Sequence, residues 1–291
     1  MNSLQKYRLQ AVNRFRYLYT LVKRQRDCLK SIMRMDIATI GLLCTIAFAA
    51  GFVDAIVGGG GLIQTPAALV LLPMYPVATV IGSLKIPAFS GTAVAARQYF
   101  KRVAMNGKRL LLMCLVAATS AFAGSQLLTV VSNRYMKPVI FIVLIIVAIY
   151  TYFKKDFGQH THRNYSPKRV LLYGLLISLV IGFYDGFIGP GSGSFFILVF
   201  ISILGFDFLQ ASAHAKMLNM ATNFGSIILF LGKGSILWPI AIPMAVCNAL
   251  GGFAGAKLAL KKGNRFIRIF FMIVVMATLI RFGYDTFFKN A

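Results

Sequence analysis

Residues 110–131 and 235–256 each run for 22 positions without an Asp, Glu, Lys, Arg or His. About 20 apolar residues in helical form span the hydrocarbon core of a bilayer, and a soluble fold has no place for two such stretches. The whole chain agrees. Apolar residues make up 58% and charged residues 13%, where a soluble domain of this size carries about twice that share of charge. A disordered chain has the opposite composition. The period-two alternation of a transmembrane β-barrel is missing. Only helices remain as a way to satisfy the backbone in lipid, so the chain reads as an all-α polytopic membrane protein.

The net charge is +24, from 31 Lys and Arg against seven acids, all Asp. In a soluble protein that imbalance points to nucleic acid. Here the basic residues fall mostly between apolar segments, where they mark topology and meet anionic lipid headgroups. No soluble region is left to bind nucleic acid. Residues 1–35 carry nine Lys or Arg. Leu4, Tyr7, Ala11, Phe15, Leu18 and Val22 recur at helical spacing, which predicts a basic amphipathic extension lying on the membrane surface. A mitochondrial transit peptide is the rival reading. Cys28, Cys44, Cys114 and Cys247 are scattered, form no CxxC and imply no disulfide framework. His160 and His162 are too few for a metal site, so no metal or cofactor is expected.

The apolar segments are 36–57, 62–73, 76–99, 109–131, 136–153, 169–188, 193–204, 207–231, 236–258 and 264–289. Segments 62–73 and 193–204 are too short to cross a bilayer, and each follows a glycine cluster. A shift of 131 superposes them. It brings Gly51, Phe52, Asp54, Gly58, Gly60 and Lys85 onto Gly182, Phe183, Asp185, Gly189, Gly191 and Lys216. It also brings Phe122, Ala123, Gly124 and Leu127 onto Phe253, Ala254, Gly255 and Leu258. The chain therefore reads as two homologous repeats, 36–153 and 169–291, joined by a polar linker at 154–168. Each repeat holds a glycine-broken, re-entrant half-helix. Matched discontinuous helices point to a transporter with its site between the repeats. The Lys and Arg distribution fits both parallel and inverted repeats; carriers of this kind favour the inverted form.

Lys85 and Lys216 lie mid-segment, and Asp54 and Asp185 each precede a glycine break. Ionised groups at bilayer depth are costly unless paired or hydrated. One reading pairs Asp54 with Lys85 and Asp185 with Lys216 as packing devices within each repeat. The other places the lysines on a hydrated cavity that attracts an anion, with Asp54 and Asp185 balancing charge or carrying a coupling proton. Breaks at Gly58, Gly60, Gly189, Gly191 and Ser192 would aim half-helix N-termini, with their exposed N–H donors, at that anion. Ser212, Lys216, Asn219 and Asn223 share one helical face, a candidate cavity lining; the matching face in the first repeat is Ile81, Lys85, Ala88 and Thr92. Gly124, Gly251, Gly252 and Gly255 read as helix-contact glycines. The glycine runs match neither a dinucleotide nor a Walker loop.

On these residues the sequence resembles the TauE/SafE (sulfite exporter) family of membrane transporters. The carrying segments are GFVDAIVGGGGL at 51–62 with Pro66, ATVIGSLKI at 78–86, GFYDGFIGPGSGSFF at 182–196, ASAHAKMLNMATNFGSI at 211–227 and GGFAGAKLALKKGNRFIRI at 251–269. The GSLK at 82–85 departs from the Gly-Thr-Asn-Lys of the family pattern, which bears on Ser83 and Leu84. The resemblance implies a multi-pass carrier of the bacterial cytoplasmic (inner) membrane for sulfite, sulfonate-derived or related small anions.

The expectation is thus a secondary anion transporter, not an enzyme, working by alternating access. Lys85, Lys216, Asn219, Asn223 and the glycine breaks would hold the anion. Three rivals stand beside it: a cation- or proton-coupled carrier using Asp54 and Asp185, a membrane scaffold with a structural ion-pair core, and a membrane-embedded enzyme. Homo-oligomerisation is left open.

Overall fold

A computed structural model describes residues 37–132 and 165–287. The expected surface helix at 1–35, the segment 136–153 and the His160/His162 pair lie outside the described residues. The described residues form helices and their connections. The first half contains α1 (Ile37–Val57), α2 (Gly60–Leu71), α3 (Val77–Phe100) and α4 (Gly107–Val130). The second contains α5 (Pro167–Phe187), α6 (Ser192–Val199), α7 (Phe208–Gly232) and α8 (Trp238–Phe287). A π-helical turn, Phe200–Leu204, extends α6. Helix starts in the two halves correspond to within one residue of the offset of 131.

Local chemistry sets the boundaries. Pro76 opens α3, and Pro167 occupies the first turn of α5, where proline's missing N–H is harmless. Asn106 and Asp207 cap α4 and α7, accepting from the backbone N–H of Arg109 (3.1 Å) and Gln210 (2.7 Å). Gly205, at φ 71°, ends the π-helical turn, and Gly263, at φ 70°, breaks α8. Among the described residues, five helices are long and apolar enough to cross a membrane: α1, α3, α4, α5 and the Trp238–Gly263 part of α8. α7 is as long, at 25 residues, but its Lys216, Asn219 and Asn223 lower its hydropathy. α2 has 12 residues, roughly 18 Å of helix. Leu115, Val180, Val246 and Leu250 point outward and exposed, as lipid-facing positions do.

The halves interlock. α1 lies along α8 and α5 lies along α4, while α3 packs on α8 and α7 on α4; α3 and α7 meet at the centre. Glycines make these approaches close enough. A β-carbon on Gly124 would sit 2.1 Å from the Phe183 carbonyl oxygen, and one on Gly255 would sit 2.3 Å from that of Phe52. These two contacts are the same contact at the 131-residue offset. Gly251 and Gly252 are equally tight, against Phe48 and Gly91. All four expected contact glycines therefore let backbones touch.

Candidate functional site

The glycine breaks are backbone necessities. Gly58, Gly189 and Gly191 have φ of 77°, 91° and 82°, a region that L-residues with a β-carbon avoid. The two breaks abut each other. Ser194 donates its N–H to the Gly58 carbonyl (3.1 Å) and its hydroxyl to the Val57 carbonyl (2.9 Å). A β-carbon on Gly58 would lie 2.2 Å from the Gly193 carbonyl carbon. The starts of α2 and α6 thereby meet between the halves, as a site at their junction requires.

Beside this junction lies a cavity of about 60 Å³, room for about four water molecules. Its walls include Asp54, Gly58, Gly60, Lys85, Asp185 and Gly189, and further Gly191, Ser192, Asn219 and Asn223. Ten of the eleven residues expected to hold the anion or balance its charge are therefore on the cavity. Lys216 is the exception: it is fully buried and does not line it.

The ion pairs correct one expectation. Pairing within each half does not occur; both bridges cross between halves. Lys85 Nζ donates to the Asp185 carboxylate at 3.1 Å and to the Asp185 backbone carbonyl at 2.6 Å. Lys216 Nζ donates to Asp54 Oδ2 at 2.9 Å. The physical reason is the interlocked packing, which sets each helix carrying a lysine against the opposite half.

The two pairs have unequal support. Asp185 also accepts from Ser192 Oγ (2.8 Å) and from the Thr222 hydroxyl. Asp54 accepts from the Gly60 N–H at 3.3 Å and Thr92 Oγ1 at 3.4 Å, both long. The N–H at the start of α2 is thus already turned toward Asp54.

The polar stripes also divide differently from the sequence expectation. On α7 only Asn219 and Asn223 reach the cavity, joined by an Asn223 Nδ2 to Asn219 Oδ1 bond of 2.8 Å. Ser212 is buried, and its hydroxyl has no partner among the described residues. On α3 the whole matching face, Ile81, Lys85, Ala88 and Thr92, lines the cavity. Leu84 lines it too, while Ser83 instead accepts from the Leu237 N–H at 2.8 Å. His214 lies off the stripe, against the rings of Phe200 and Phe206.

Three polar lining residues escaped the sequence reading: Gln64, Thr65 and Asn248. Asn248 Nδ2 donates to Gln64 Oε1 at 2.9 Å. Asn248 fills a slot beside Gly51 and Gly91, where β-carbons would come within 2.2 and 1.9 Å of its atoms. One signal was available. Asn248 is the only amide side chain in the uncharged stretch 235–256, and Gln64 the only one in the segment 62–73. Such residues are costly in lipid and mark interior positions.

A family model described as sulfite exporter TauE/SafE matches residues 43–282. A probable membrane transporter protein of Sinorhizobium sp. is 36% identical over 243 residues, covering 83% of this chain and 91% of its own. A probable membrane transporter protein of Haemophilus influenzae is 33% identical, covering 85% and 95%. The Escherichia coli K12 protein YfcA, also described as a probable membrane transporter protein, is 30% identical over 264 residues, covering 89% and 95%. No solved structure matches.

Proposed function

Because this multi-pass membrane chain belongs to the sulfite exporter TauE/SafE family, we propose that it is a secondary transporter moving a small anion across the bacterial cytoplasmic membrane. The observation that carries this reading is Lys85: an ammonium at the wall of a cavity, beside the two backbone breaks. An ammonium has three N–H donors. Two are directed to Asp185, and the third is available to a ligand. The α2 and α6 half-helices re-enter the membrane and bring glycine backbone to the same place.

The carboxylates support an anion over a cation. Each already accepts from three donors: Lys85, Ser192 and Thr222 on Asp185, and Lys216, Thr92 and the Gly60 N–H on Asp54. A cation would have to compete for lone pairs that are in use. In this reading Asp185 balances Lys85, and the Lys216–Asp54 pair ties the halves together behind the cavity. Alternating access is the rocking of one half against the other. The probable-transporter descriptions of the three relatives favour transport over a scaffold or an enzyme.

The test is counterflow of sulfite and of a short sulfonate in proteoliposomes. Wild type gives saturable flux. Lys85→Met, purified as a folded, monodisperse protein, gives none. Unchanged flux in that variant rejects the assignment.

A further inference from the structure

Part of the cavity wall is neutral and polar, built from α2 of the first half and α8 of the second. Gln64, Thr65 and Asn248 line it, and each is more than nine-tenths buried. Their counterparts at the 131-residue offset are Phe195, Phe196 and Ala117, so the polarity is not a by-product of the pseudo-symmetric framework. Within this wall Asn248 Nδ2 is bonded to Gln64 Oε1. Among the described residues, no acceptor takes the Gln64 Nε2 hydrogens, and the Thr65 hydroxyl has no side-chain or backbone partner. Buried amides and hydroxyls left open toward a cavity are donors awaiting a ligand or water.

Charge limits what that ligand can be. Lys85 with Asp185 and Lys216 with Asp54 are two complete ion pairs, so the constellation is neutral before anything binds. An anion entering it is uncompensated. The cost of a desolvated charge rises with the square of that charge, so a second negative charge is penalised far more than the first. One remaining Lys85 N–H meets one oxygen; neutral donors must meet the rest.

Resting on the anion-carrier reading above, we propose that the site selects singly charged, polyatomic oxyanions, and that Gln64, Thr65 and Asn248 determine this specificity. Lys85 takes one oxygen, and the amide and hydroxyl wall takes the others. A monatomic anion reaches Lys85 but leaves the wall unused. A dianion uses the wall but carries a charge the site does not balance.

The experiment is calorimetric titration of the purified full chain in detergent, at fixed ionic strength, with sodium methanesulfonate, sodium sulfate and sodium chloride. Wild type should bind methanesulfonate at least about tenfold more tightly than either other anion. Asn248→Ala and Thr65→Val should each weaken methanesulfonate about tenfold, the loss of a hydrogen bond to a charged ligand, and leave chloride unchanged. Asn248→Ala copies Ala117, which packs against Gly182 in the other half, and Thr65→Val keeps the side-chain shape, so both variants should fold. Sulfate binding as tightly as methanesulfonate in wild type overturns the proposal without use of a variant. Unchanged methanesulfonate affinity in both variants overturns the role of the wall. Wild type that binds none of the three overturns this inference and the anion-carrier reading together.

Discussion

Lys216 and Asp54 meet at 2.9 Å although 162 residues and the boundary between the two halves separate them. The lysine side chain is wholly buried, whereas 17% of the aspartate side chain remains accessible, toward the cavity. The second bridge, Lys85 to Asp185, crosses the same boundary in the opposite sense. The halves are therefore held by a reciprocal pair of charges. The two pairs differ in what else supports the carboxylate, and that difference has measurable consequences.

Removing one partner of a buried pair leaves an uncompensated charge and costs about 3–5 kcal/mol. Asp54 without Lys216 keeps only two long hydrogen bonds. Asp185 without Lys85 keeps Ser192 and Thr222. Lys216→Met should therefore lower the thermal unfolding midpoint more than Lys85→Met, by a margin equivalent to about 1–2 kcal/mol. Adding Asp54→Asn to Lys216→Met should recover part of the loss. Equal losses in the two lysine variants would refute the distinction.

Gly58 fails as alanine for two independent reasons: its φ of 77° and the Gly193 backbone 2.2 Å from the new β-carbon. Gly58→Ala should abolish recovery of folded protein. Among the described residues, nothing lies within 4 Å of a β-carbon on Gly41 in α1, so Gly41→Ala should be neutral or stabilising by up to about 1 kcal/mol. Size-exclusion profiles and unfolding midpoints of the two variants, prepared together, check this.

The Cys44 thiol, on α1, and the Cys247 thiol, on α8, are both free and pack against the same apolar cluster. Mild copper–phenanthroline oxidation should join them in a disulfide, detected by peptide mapping without reductant. A linked Cys44–Cys247 peptide verifies the packing of α1 on α8. Its absence under conditions that oxidise engineered neighbouring cysteines would contradict that packing.

Ser83 occupies the position where the family pattern differs, and its hydroxyl accepts the buried Leu237 N–H at 2.8 Å. Ser83→Ala leaves that donor without a partner, at a cost of about 1–3 kcal/mol. Ser90→Ala removes a hydroxyl that donates to the Ala245 carbonyl (2.7 Å), and the carbonyl keeps a second lone pair for other donors. The Ser83 variant should therefore unfold at the lower temperature of the two.

The sequence alone determined the solvent this chain folds in, the length of its helices, the sites of the two breaks and the paired charges beside them. Those properties are local: hydropathy, helical period and the left-handed φ that only glycine tolerates cheaply. Ten of the eleven residues expected to hold the anion or balance its charge line one cavity. Only the tertiary structure decided which lysine meets which aspartate, because pairing within a half and pairing across halves have the same side-chain chemistry and differ only in how the helices interlock. It also decided that Lys216 sits behind Asp54 rather than on the cavity, and that Gln64, Thr65 and Asn248 converge. Those three come from helices 184 residues apart in sequence, and no periodicity within one helix reports which face another will meet.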